Sequence, residues 1–137
     1  MRLSQLIAGI LLALVAHAEE WPTAETSSRL VEAARLVEQR GHEMYGVEAR
    51  TVLVEYDASI SKDYGGFADC VPWIIRINPY YAAIDPDFSV EATIPHEYAH
   101  LIMCSLYGTM GKDPHNEEWQ MIMIGLGGNP YRHPKKR

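Results

Sequence analysis

The sequence predicts one α+β domain, with helices packed on a short antiparallel sheet and the chemistry carried on a central helix. Three observations predict it. Apolar residues recur at helical spacing in three separate stretches. Two runs rich in β-branched residues lie between the first and second of these stretches. The second helical stretch carries His96-Glu97-Tyr98-Ala99-His100, an H-E-x-x-H pattern flanked by Val90, Ile94, Leu101, Ile102 and Met103. A length of 137 residues suits a single domain. A chain that is 47% apolar and 22% charged reads as a globular protein. Its formal net charge of −6 argues against nucleic acid as the main partner.

Residues 1–18 stand apart from the fold and read as a signal peptide. Arg2 supplies a positive start, Leu6 to Ala16 an uncharged apolar run, and Ala16-His17-Ala18 an A-x-A cleavage signal. The run is short for an uncleaved membrane anchor, so no stable membrane insertion is expected after cleavage. The mature domain is then residues 19–137, located in the periplasm or secreted. At the other end, Arg132, His133, Lys135, Lys136 and Arg137 read as a solubilising tail.

Residues 23–44 are predicted as the first helix. Leu30, Ala33, Ala34 and Val37 recur at helical spacing, Met44 extends the stripe, and Arg29, Glu32, Arg35 and Gln39 give a polar face. Gly41 is expected to end or fray it. Residues 50–56 are β-rich, and 57–66 carry loop residues, among them Asp57, Ser59, Asp63, Gly65 and Gly66. A second strand is expected over 71–77 around Trp73, Ile74, Ile75 and Ile77. Two strands joined by a loop pair most simply as antiparallel neighbours. Asn78-Pro79 stops the second, Tyr80 to Ala83 form a short helical turn, and Asp85-Pro86-Asp87 break the chain.

The central helix is predicted over 90–107, capped by Ser89 or Thr93. Pro95 either kinks it from within or sits in its first turn. Gly108 and Gly111 mark the exit. Asp113-Pro114 then opens the last helix, with Asp as N-cap and Pro in the first position. Trp119, Ile122, Met123 and Leu126 form its apolar face, and Gly127-Gly128 end it.

The spacing of the central motif has a chemical meaning. Four residues make about one helical turn, so His96 and His100 share a face and can hold one Zn²⁺. Glu97 lies beside that face, placed to act on a water rather than on the metal. A hydrolytic zinc site needs a third protein ligand and an open position. His115 is one candidate, and Glu117 or Glu118 the other, which would give a two-His, one-Glu site. Cys70 and Cys104 are an even pair in an exported chain, and read either as a disulfide or as two buried thiols.

Several motifs, taken together, resemble the SprT-like metallopeptidases. They are Ile77-Asn78-Pro79, then Ile94-Pro95-His96-Glu97-Tyr98-Ala99-His100-Leu101, then His115-Asn116-Glu117-Glu118-Trp119, then Leu126-Gly127. The resemblance covers about residues 74–130. It implies a small zincin-like domain with His96, His100 and His115 as zinc ligands and Glu97 as general base. The substrate would be a protein or peptide, cut by a zinc-activated water. Asn116 stands where the family usually has Gly, and the family's four-cysteine zinc ribbon is not present within these residues. Familiar members are intracellular and DNA-associated, whereas the leader points to export, so DNA-linked proteolysis is not expected here. Tyr107, Tyr131 and Arg132 are the candidates for stabilising the oxyanion, and the strand edge near 71–77 for pairing with an extended peptide. The alternatives are a non-catalytic zinc-containing binding protein and a hydrolase of a cell-wall amide.

Overall fold

The computed structural model describes residues 20–131. The leader at 1–18 and the basic end, including Arg132, lie outside them. Helix α1, Ala24–Tyr45, begins where Thr23 is extended and its side chain accepts a hydrogen bond from the Thr26 amide. It ends at Gly46, whose φ of 67° is left-handed. Gly41 therefore lies within the helix rather than at its end. Its lack of a side chain gives clearance, because a Cβ there would stand 2.8 Å from Cε1 of Tyr98.

Strands β1 (Leu53–Tyr56), β2 (Gly66–Asp69) and β3 (Ile74–Ile77) form one sheet in the order β1-β3-β2. The predicted pair, β1 and β3, is parallel, contrary to the antiparallel expectation. The cause is β2, which the sequence hides because Gly66, Ala68 and Asp69 are weak strand formers. It turns back as the antiparallel neighbour of β3 and takes one side of it, leaving the other side to β1. A cis Val71-Pro72 bond lies in that turn. With β3 central, no free edge lies at 71–77; the edges belong to β1 and β2, and β2 is the one that lines the cavity beside the H-E-x-x-H helix.

Helix α2 (Pro79–Ile84) is the expected short turn, its first amides capped by Asn78. Helix α3 (Pro86–Phe88) is capped by Asp85 and continues through a π turn, Ser89–Thr93, into α4 (Ile94–Tyr107). Neither Ser89 nor Thr93 acts as a cap, since both have right-handed helical backbone inside this run. Pro95 thus sits within a continuous helical stretch. The π turn bonds the Ile94 amide to the Ser89 carbonyl and widens the helix just where a proline ring would press on the preceding turn. Helix α5 (Glu117–Gly125) starts later than expected, at Asn116, because Asp113 spends its side chain on the His115 amide in a local turn.

One buried cluster joins Leu30, Ala34 and Val37 of α1, Ile75 and Ile77 of β3, Tyr98, Leu101 and Ile102 of α4, and Trp119, Ile122 and Met123 of α5. The architecture is the expected α+β domain, with helices packed against a small sheet and the H-E-x-x-H helix at its centre. Arg40 donates to the Leu126 carbonyl at 2.8 Å and ties α1 to the end of α5. No helix among the described residues is long and apolar enough to cross a membrane.

Cys70 and Cys104 are joined by a disulfide, with their Cα atoms 6.2 Å apart. The bond fastens the turn after β2 to the last turns of α4. It spans a sequence separation of 34. Closing a loop of that length restricts the unfolded chain by about 3–4 kcal/mol on the chain-entropy account. Replacing both cysteines by serine should lower stability in denaturant unfolding by about that amount, and the denatured, unreduced protein should titrate with no free thiol. Two titratable thiols would show that the bond does not form.

Candidate metal centre

One helical turn separates His96 from His100 on α4, so their rings meet with centroids 5.0 Å apart. The third imidazole arrives from the loop before α5. Asp113 fixes that loop by accepting the His115 amide at 3.2 Å, and Asn116 caps the helix that follows. The Nε2 atom of His96 is 3.3 Å from that of His100 and 3.1 Å from that of His115. Donor atoms of all three lie within 4.8 Å of one another. One ring proton can serve only one such contact, so three converging lone pairs call for a cation. A tetrahedral ion 2.0–2.1 Å from each nitrogen sets two nitrogens about 3.3–3.4 Å apart, close to these separations. The donor set fits a metal ion. Glu117 and Glu118 are exposed on α5 and do not join the group.

Trp119 holds the rings in place. Its indole centroid lies 4.6 Å from that of His96, 5.3 Å from His100 and 4.7 Å from His115. The His100 ring stacks on it at an interplanar angle of 24°. The indole Nε1 donates to the His96 carbonyl at 3.3 Å, so the same side chain docks α5 on α4. The Nδ1 atom of His100 is buried with no hydrogen-bond partner among the described residues. Stacking, rather than the usual hydrogen bond to the second ring nitrogen, orients this imidazole. Sequence reading placed Trp119 on an apolar face and missed this role. The signal was its position one helical turn after His115.

Glu97 is buried beneath the imidazoles, with Oε1 3.8 Å from Nε2 of His96. Burial pushes its carboxyl up to about 8. Burial, reinforced by repulsion from His115, pulls His100 down to about 4, which keeps its imidazole neutral. The centre opens into a cavity of about 430 Å³ between the β2 segment, the π turn and the loop leading to α5. Tyr107 and Tyr131 do not line it, and Tyr131 instead reaches the Gln120 carboxamide at 3.5 Å.

The model of the SprT-like family matches residues 33–136. Protein SprT of Pseudomonas aeruginosa is 42% identical over 57 residues, which cover 42% of this chain and 34% of the relative. Protein SprT of Pseudomonas syringae pv. tomato is 42% identical over 53 residues, covering 39% and 32% respectively. That of Vibrio parahaemolyticus is 41% identical over 54 residues, again 39% and 32%. These alignments span about a third of each relative's length. No solved structure matches.

Two outcomes follow from the packing and the charges. Trp119→Ala should cost about 3–5 kcal/mol and weaken metal uptake, whereas Trp119→Phe should keep most of both. Equal metal affinity in wild type and Trp119→Ala, measured by competition with a chelator, would remove Trp119 from the centre. The metal-stripped protein should respond to pH in a set way. Between about 4 and 6.5 the unfolded chain takes up a proton that folded His100 refuses, so His100 makes stability rise with pH. Between 4.5 and about 8 folded Glu97 keeps a proton that the unfolded chain has lost, so Glu97 makes stability fall. Only Glu97 remains above 6.5, and the melting temperature of the chelated protein should decline from there to about pH 8. Glu97→Gln should abolish that decline; a decline that persists in the variant would assign it to other groups.

Proposed function

The chain belongs to the SprT-like family, and from that premise we propose that it is an exported zinc metallopeptidase with Glu97 as its general base. The observation that carries the reading is the convergence of three imidazole nitrogens beside a buried carboxylate, at the mouth of a cavity flanked by an open strand edge. His96, His100 and His115 would hold the ion through Nε2. When bound, zinc supplies Lewis-acid activation of water and polarisation of the scissile carbonyl.

The protein's own residues do the rest. Glu97 would be kept a carboxylate by a dication held by the three imidazoles, offsetting the burial that otherwise protonates it. It takes the proton of the attacking water and returns it to the leaving amine. Its place beneath the imidazoles leaves it out of the ligand set. The peptide is held by β2. The bond from the Asn78 amide to the Gly65 carbonyl at 2.8 Å fixes the hydrogen-bonding phase of the β2–β3 pair. Gly66 and Ala68 consequently turn their amides and carbonyls outward, where an extended chain can pair with them. Export is supported by the apolar leader with its A-x-A signal and by the Cys70–Cys104 bond, a pairing suited to an oxidising compartment.

Glu97→Gln tests this reading. The variant should bind zinc as wild type does and lose cleavage of a loosely folded protein by ~10²–10⁴-fold, followed as fragments by mass. Equal cleavage by both would exclude Glu97 as the base. Absence of cleavage by zinc-loaded wild type, on protein and cell-wall substrates alike, would leave a binding protein.

A further inference from the structure

The cavity beside the imidazoles has a chemical character of its own. Beyond the metal centre its walls include Phe88 and Ala92 of the helical lead-in and Met110 and Pro114 of the loop before α5. Phe88 and Ala92 are fixed, since both are buried and form a small core with Tyr81, whose ring lies 6.0 Å from that of Phe88. Met110, by contrast, is half-buried in a loop and belongs to neither core cluster. Among the described residues, the charged ones lining the cavity, apart from the histidines, are Asp63 and Glu97, with no lysine or arginine. The β2 segment packs tightly on the π turn at the cavity's side. A Cβ on Gly65 would stand 2.8 Å from Oγ1 of Thr93, and one on Gly66 would stand 2.9 Å from its Cγ2. Gly65 and Gly66 therefore bring backbone against the π turn, while the rings of Tyr64 and Phe67, 5.1 Å apart, add apolar surface to the lining. A volume of about 430 Å³ remains, more than a peptide backbone alone occupies.

We propose that this cavity is a side-chain pocket of the peptidase site, selecting substrates with a large apolar residue next to the scissile bond. The proposal rests on the peptidase reading and adds the substrate class. Phenylalanine, leucine or methionine would fill the space between Phe88, Ala92 and Met110, while Asp63 at the wall disfavours an acidic side chain. Such residues are accessible in unfolded or loosely folded polypeptides, because in compact proteins they are buried. The substrate class is thus unfolded protein segments exposing apolar residues.

A panel of fluorogenic peptides, identical except for Phe, Leu, Gly, Lys or Asp beside the cleaved bond, tests the pocket with the zinc-loaded chain. Specificity constants for Phe and Leu should exceed those for Gly and Asp by at least ~10-fold. The same order should appear in the calorimetric affinities of the peptides for zinc-loaded Glu97→Gln, which reads binding without turnover. Met110→Glu should shift the preference toward Lys while zinc content and melting temperature stay as in wild type. A flat ranking among peptides that are cleaved, or a ranking that Met110→Glu does not move, overturns the pocket and leaves the peptidase reading standing. If no peptide is cleaved or bound, the peptidase reading falls and the pocket with it.

Discussion

The Nε2 atom of His96 is held within hydrogen-bonding distance of those of His100 and His115 by packing against a single indole. Trp119 packs against His96, His100 and His115 together and hydrogen-bonds to the backbone of the helix that carries two of them. Ile122 and Met123 also dock α5 on the core, and Asp113 and Gln120 hold the His115 backbone, but Trp119 is the side chain that meets all three rings. The fold can be read outward from this contact. Helix α4 is buried on its far side, where α1 presents Gly41 to Tyr98 and Ile102. It also brings its N-terminal part close to the sheet, which the π turn and the Gly65-Gly66 pair permit.

The sheet supplies a border to the site as well as part of the core. β3 is its centre and the most buried strand, and β2 is its free edge facing the cavity. A four-residue edge strand with one hydrogen-bonded neighbour is a weak element on its own. The disulfide from Cys70 to Cys104 compensates by anchoring its end to the helix of His96 and His100. The strand edge, the helix and the covalent link between them therefore form one unit around the cavity. An oxidising compartment would keep that unit intact.

Much of this was legible in the residues. The apolar stripes of α1 and α4 and the fourfold spacing of His96 and His100 depend on local periodicity, which sequence reading detects well. His115 was reachable only as one of two alternatives from the residues alone, and the resemblance to the SprT-like metallopeptidases favoured it. What stayed hidden was set by tertiary contacts. Strand β2 has weak propensity and exists because β3 and the disulfide hold it. Its insertion made the β1–β3 pair parallel, which pairing rules for two isolated strands do not foresee. The later start of α5 turned on whether Asp113 would cap a turn or a helix, a local competition that its sequence does not decide. Trp119 looked like any core aromatic until the three rings around it were visible.

The central claim is that one metal ion binds at the meeting point of His96, His100 and His115. X-ray absorption at the zinc edge, on the purified chain loaded with one equivalent of zinc, tests it most directly. The account predicts three imidazole nitrogens and one solvent oxygen at about 2.0–2.1 Å, with one imidazole lost in His115→Ala. Sulfur in the coordination shell, fewer than three imidazoles in the wild-type protein, or a spectrum unchanged by His115→Ala would contradict it.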